Sequence, residues 1–265
     1  MTLIRKVAKA ILIFVICFAF LGIGAVVSII FRPLPQFRSG VRARCTRLWA
    51  ILISAVLGIR IVQRGEVWPL VQNEAYFIVS NHVSYVDIVV LASVRPVAFL
   101  SKHDVKDWPI LGRLASFAGT VFVNRDSRRA ALPAMQEIEE RIAHDVSVVV
   151  FPEGTTSDGL RLLEFKSTFF DLPARARLPV LPVALRYMSV DGRTVPADAV
   201  SPVAWFGNAP LAPNVWQLFG MHELVVRVAA GAPLCSSENA GGDRKKLAQE
   251  ARARVAEAYW TAEDV

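Results

Sequence analysis

The sequence predicts an α/β fold, a mixed or mostly parallel sheet with helices on both faces, preceded by an N-terminal membrane-associated helical segment. Three observations lead there. Ala10 to Phe31 is a run of 22 residues without a charge. From about residue 59 onward, short apolar runs rich in β-branched and aromatic residues alternate with longer amphipathic stretches, as in βα units. Polar and charged residues then follow several of these runs directly, and in open α/β sheets the strand ends are where ligand crevices form.

The N-terminal run is long enough, at about 1.5 Å per residue, for a hydrocarbon core of roughly 30 Å, and both spanning and re-entrant placements fit. A cleaved signal peptide is rejected, because Arg32-Pro33-Leu34-Pro35 is not a small-residue cleavage site. Charge is uneven along the chain. Up to Leu70 there are ten Lys or Arg and one acid, while the remainder carries 20 basic and 22 acidic residues. Basic character thus belongs to the apolar N-terminus and points to anionic lipid; no nucleic-acid motif appears. The cluster Arg32, Arg38, Arg42, Arg44 and Arg47 favours a cytoplasmic location for the α/β domain beyond it. Trp49 to Ile59 reads either as an interfacial helix or as a buried helix of the globular domain. The expected division is a membrane-anchoring helical segment over 1–58 and an α/β domain over 59–265. Cys17, Cys45 and Cys235 share no metal-ligand spacing and form no disulfide framework.

Strands are expected over Ile59–Gln63, Ala75–Ser80, Val97–Ser101, Thr120–Val123, Ser147–Phe151, Val180–Leu185 (interrupted at Pro182) and His222–Ala229. Helices are expected after Ser84, over Trp108–Phe117, over Arg128–His144 and over Asp243–Trp260. No internal repeat is present.

The candidate centre is Asn81-His82-Val83-Ser84-Tyr85-Val86-Asp87, at a strand-to-helix junction. Inside one helix, residues five apart point roughly 140° away from each other. If Ser84 caps the helix, Asp87 falls at its third position and reaches back toward the cap. His82 then hangs just outside, within reach of the carboxylate. An acid on one imidazole nitrogen fixes the tautomer and leaves the other nitrogen free as a general base. The plainer reading is that Ser84 and Asp87 merely cap a helix. Among the four histidines, only His82 has a carboxylate at the fifth following position.

Lys102, Arg125 and the Glu153-Gly154-Thr155 turn also follow apolar strands. Two cations beside a glycine-containing turn suit an anionic phosphate, Arg as a fork and Lys as a point charge. Taken singly, each also reads as a solvated charge, a surface ion pair or a tight turn.

Four motifs in order then resemble one family, the glycerolipid acyltransferases typified by 1-acylglycerol-3-phosphate acyltransferase. Asn81-His82-x-Ser84-x-x-Asp87 is similar to the family's His-x4-Asp motif. Gly119-Thr120-Val121-Phe122-Val123-Asn124-Arg125 resembles the second motif, Phe151-Pro152-Glu153-Gly154-Thr155 the third and Val180-Leu181-Pro182-Val183 the fourth. The resemblance covers about residues 60–230. It implies that His82, held by Asp87, deprotonates a lysolipid hydroxyl that attacks the thioester of acyl-CoA or acyl carrier protein. It further implies that Arg125, Glu153, Gly154, Thr155 and Lys102 hold the glycerol phosphate, and that Pro182 shapes the floor near the acyl chain. No metal and no cofactor beyond the acyl donor is implied. The expected partners are the lysolipid, the acyl thioester, the membrane and acyl carrier protein, with the site on the cytoplasmic face.

Two positions depart from the family pattern. Thr156 stands where the third motif often has Arg, and Asn124 where the second often has Asp. The missing Arg brings in other acceptors, such as lysophospholipids and lyso-ornithine lipid, as the second reading, and the segment from Pro202 to Trp216 resembles that branch too. A non-catalytic membrane-binding module and a thioester hydrolase are the competing classes. The first would bind vesicles without consuming thioester, the second would release thiol without an acceptor.

Overall fold

The computed structural model describes residues 2–64, 74–124, 128–235 and 243–260. The uncharged N-terminal run forms one long helix, α1 (Thr2–Ile30), and a short turn leads into α2 (Pro35–Leu57). Gly58 ends α2 at φ +77°, and a Cβ there would sit 2.0 Å from the His222 carbonyl oxygen. Both the left-handed turn and the close approach require glycine. The apolar stretch beginning at Trp49 is therefore the second half of a longer helix. Its Ala50, Ile53 and Leu57 join the main core, although Leu48, Ile51 and Leu52 are exposed.

The remaining elements are β1 (Ile59–Arg64), β2 (Phe77–Ser80), α3 (Val86–Val94), β3 (Val97–Lys102), α4 (Leu111–Phe117), β4 (Val121–Val123), α5 (Arg128–Ala143), β5 (Ser147–Val150), α6 (Asp171–Ala176), β6 (Val180–Val190), β7 (Arg193–Thr194), α7 (Leu211–Leu218), β8 (Leu224–Ala230) and α8 (Arg244–Trp260). The sheet order is β1-β8-β6-β2-β5-β3-β4, with β7 hairpinned onto β6. The β6–β8 and β6–β7 pairs are antiparallel, the rest parallel. Alternation puts Ile78 and Val149 in one core with α2 and α3. Phe77, Val79, Val148 and Val150 face the other, with α5 and α8. The sheet is thus mixed and mostly parallel, with helices on both faces.

Three local expectations change. The helix expected from Trp108 begins at Leu111, after a 3-10 turn over His103–Asp107. β6 runs unbroken through Pro182 to Val190. The Pro182 carbonyl accepts from Gly231 N–H, so the proline's missing donor also faces β8, just past its last residue. The loss falls at the end of a ladder, where proline is tolerated. Helices α6 and α7 lie where none was expected. What positions the site is the run β2-β5-β3-β4. These four strands are parallel neighbours about 4.8 Å apart, so their C-terminal ends share one edge.

Candidate active site

β2 stops at Ser80, and the Asn81 side chain takes over its pairing. Its Nδ2 donates to the Leu185 carbonyl (2.9 Å) and its Oδ1 accepts from the Leu185 N–H (2.8 Å). The amide thus stands in for one more ladder residue and ties the strand end to β6. His82 comes next. Its carbonyl accepts from Ser157 N–H (2.8 Å) and from the Ser157 hydroxyl (3.1 Å), joining it to the turn after β5.

Asp87, in the first turn of α3, reaches back as the spacing predicts. Its Oδ2 accepts from the Val83 N–H (2.7 Å), the Ser84 N–H (2.9 Å) and His82 Nδ1 (2.8 Å). The Ser84 hydroxyl accepts from the Val86 N–H at 3.3 Å, but α3 begins only at Val86, after Tyr85, which makes no side-chain capping bond, so Asp87 is its second residue and not its third. Holding the turn's amides and orienting the histidine are one arrangement here, not rival readings. Oδ1 accepts from the Tyr187 hydroxyl on β6. Asp87 is fully buried, while the His82 side chain keeps 17% of its surface exposed. With Nδ1–H given to the acid, Nε2 is the free, basic nitrogen. The imidazole plane is held by a stack on Phe151, with centroids 3.9 Å apart and an interplanar angle of 11°, and Phe151 stacks in turn against Phe99.

Glu153 lies beside this pair and is only 2% exposed. Neither of its oxygens has a hydrogen-bond partner among the described residues. Burial first, then the charge of Asp87, pushes its carboxyl up to about 8. The His82 and Leu163 amides and the Arg252 charge oppose this only in part, without reaching hydrogen-bond geometry. At neutral pH Glu153 is mostly protonated, a donor rather than an anion. Gly154 follows at φ +72°, and a Cβ there would lie 2.8 Å from Lys166 Nζ. Lys166 thus arches over the turn, anchored by its own N–H to the Pro152 carbonyl (2.9 Å).

The other expected site residues are spread more widely. Thr155 is exposed, its hydroxyl reaching the Thr156 carbonyl at 3.5 Å. Lys102 ends β3 on the same sheet edge, 63% exposed and paired with Asp104 at 3.3 Å. Arg125 lies outside the described residues; β4, which leads to it, ends on that edge at Val123. Pro182 is buried within the sheet opposite Val79, three residues before His82. Sequence reasoning does not mark Phe151, Tyr187 or Lys166 as working parts of the site. Phe151 stands in the third motif, but nothing local shows which ring it meets. Among the described residues, no cluster of His, Cys, Asp and Glu could hold a metal ion.

A family model described as Acyltransferase matches residues 60–186. The 1-acyl-sn-glycerol-3-phosphate acyltransferase of Neisseria meningitidis serogroup B is 35% identical over 182 residues, 68% of this chain and 69% of that protein. The lyso-ornithine lipid O-acyltransferase of Brucella abortus is 32% identical over 249 residues, 89% of this chain and 91% of that protein. The chain belongs to the acyltransferase family. The matched span of this acyltransferase runs from β1 into β6, so it contains His82, Asp87 and Glu153 but not α1, α7 or β8. The crystal structure of the 1-acyl-sn-glycerophosphate acyltransferase PlsC from Thermotoga maritima superposes with a TM-score of 0.64 and 19% identity, covering all of both chains. That likeness shows the fold.

Proposed function

We propose that this acyltransferase moves a fatty acyl group from a thioester, acyl-CoA or acyl carrier protein, to the free hydroxyl of a lysolipid, with 1-acylglycerol-3-phosphate the leading acceptor. The observation that carries this is His82, steadied by Asp87 and Phe151, with Nε2 free at the strand edge. Nε2 takes the acceptor's hydroxyl proton as the oxygen attacks the thioester carbonyl carbon. The new C–O bond forms, the C–S bond breaks, and the imidazolium returns the proton to the departing thiolate. Asp87 orients the ring and stabilises the imidazolium without taking the proton. Glu153, neutral and buried, donates to an acceptor oxygen without repelling a phosphate. Lys166, with Lys102 on the same edge, supplies positive charge that Thr156 does not, and Arg125 of the second motif is assigned the same task.

The second acceptor, lyso-ornithine lipid, is favoured by Thr156 and by the Brucella relative, whose alignment takes in nine-tenths of this chain. A panel of lysolipids with one labelled thioester, using full-length protein in detergent, separates the two. Lysophosphatidate should be acylated fastest, and preference for lyso-ornithine lipid would reverse the order. We expect His82→Ala to lower turnover by about 10²–10⁴-fold with an unchanged melting temperature; undiminished turnover would remove the base from this reading.

The membrane is the site's setting. α1 is apolar enough to cross a bilayer by length and composition, yet residues toward both of its ends contact the rest of the fold. Lys9 near its start donates to the Leu57 and Met221 carbonyls (3.1 and 2.7 Å), and Phe20 and Val27 further on pack with Leu114 and Phe117. A helix clasped by one domain at both ends cannot also thread a bilayer that excludes the domain. On this reading α1 lies along the membrane surface with Leu3, Ile4, Phe14 and Phe18 outward, embedded in the leaflet that supplies the lysolipid, and the cytoplasmic side is read from the arginine cluster that follows it.

A further inference from the structure

We propose that Tyr187 is a positioning residue for acyl transfer: by donating its hydroxyl to Oδ1 of Asp87, it sets how much of that carboxylate's charge reaches His82. The inference rests on His82 acting as the base, and it concerns a residue one past the end of the matched family span. Asp87 divides its two oxygens unequally. Oδ2 serves His82 and two backbone N–H groups, whereas Oδ1 serves the Tyr187 hydroxyl from the opposite side. A donor on Oδ1 draws electron density away from Oδ2 and weakens the hold on a protonated imidazole. Tyr187 is itself placed with care. Asn81 locks Leu185 with two bonds, and two residues further along the strand Tyr187 returns to the same face of β6. The ladder with β8 shifts register between Tyr187 and Ser189, so the strand is regular up to the tyrosine and irregular just beyond it.

Tyr187 is 3% exposed and its hydroxyl is given to Asp87, so its task is assigned through that carboxylate. Burial and the neighbouring Asp87 charge hold its phenol well above the ordinary tyrosine range, so it remains a donor wherever the enzyme works. The polar groups around it are Asp87, Tyr85 and the Ser84 hydroxyl. Around His82 stand Asp87 and Glu153, with Arg252 and Tyr259 behind Glu153. Tyr187 and the two turn amides are the donors that the described residues supply to Asp87 besides the histidine.

The test is a pair of substitutions in full-length protein in detergent, read by rate against pH. Tyr187→Phe removes one oxygen and leaves more charge on Oδ2. The lower limb of the kcat/KM profile should move to higher pH by about half a unit, and kcat at its optimum should fall about tenfold, with KM for lysolipid unchanged. Replacing Tyr187 by 3-fluorotyrosine keeps the ring and the bond but makes the phenol a stronger donor. The limb should then move to lower pH, and this variant stays informative if Tyr187→Phe folds poorly. Limbs that stay at the wild-type position in every folded variant would overturn the inference and leave Tyr187 as packing. Activity surviving in His82→Ala would instead overturn the reading beneath it.

Discussion

At the scale of the residue, the site divides into what spacing reveals and what only the fold brings in. The His82–Asp87 bond is legible because both partners lie in one turn, whose amides dictate where the acid points. Phe151 and Tyr187 reach the same two side chains from 69 and 100 residues away, the sequence separations from His82 to Phe151 and from Asp87 to Tyr187. No local pattern encodes those approaches. Lys166 is hidden for the same reason, because the chain leaves the Gly154 turn and returns to it twelve residues later. Its task is nevertheless testable. Lys166→Ala should raise KM for 1-acylglycerol-3-phosphate about tenfold, the scale of a lost charge-assisted bond, with kcat nearly intact. A lysolipid with a zwitterionic headgroup should be much less affected. An equal loss on both acceptors would assign Lys166 to holding the turn instead. Asp87→Asn carries a different signature. An amide cannot accept from Val83, Ser84 and His82 on one oxygen and from Tyr187 on a nitrogen. Turnover should fall about 10²-fold or more with substrate binding retained, measured as kcat against KM.

At the scale of the element, strands read better than helices. β2 and β5 are short, apolar and buried on both faces, which is the pattern of a parallel interior strand. β6 misleads because proline argues against a central strand, and only the early end of β8 explains why Pro182 is harmless there. α7 escapes because eight residues with Pro213 inside them show too little periodicity to count. Its position gives it a role at the site. Asn214 of α7 accepts from the Tyr85 hydroxyl (2.9 Å) and donates to the Ala204 carbonyl (3.2 Å), while the Trp205 N–H donates to the Val83 carbonyl (3.0 Å). The turn between His82 and Asp87 is thus buttressed from outside by a segment beyond the matched family span. The same segment meets the apolar N-terminal helix, with Lys6 of α1 lying 5.5 Å above the Trp216 ring. Asn214→Leu removes the buttress while keeping helix propensity. It should speed hydrogen exchange at the Val83 and Ser84 amides, which cap Asp87, by about the fivefold that 1 kcal/mol allows. Unchanged exchange would show that the turn stands without α7.

At the scale of the whole molecule, a buried acid without a hydrogen-bond partner among the described residues sits beside the pair, and it makes stability depend on pH. In the unfolded chain Glu153 titrates near its ordinary value of 4.5, while in the folded protein burial and Asp87 push it up to about 8. Below pH 4.5 it is protonated in both states and contributes no pH dependence. Between these values the unfolded state sheds a proton that the folded state keeps, so stability falls as pH rises, and above about 8 the slope vanishes. The full loss is at most about 5 kcal/mol, and less where solvent relaxes the site. Glu153→Gln is neutral in both states and keeps a donor of similar shape. Its denaturant midpoint should be close to wild type at pH 4.5 and above it at pH 8.5, with the gap opening across that interval. A gap that stays constant would mean that Glu153 is ionised in the folded enzyme and paired in a way the fold does not display. The same titration bears on the proposed function, because above pH 8 a new negative charge stands beside His82, where the proposed acceptor's anionic headgroup would bind. Wild-type KM for lysophosphatidate should therefore climb on the alkaline side while that of Glu153→Gln stays flat, tying the instability of this carboxyl to the need for a neutral donor at an anion site.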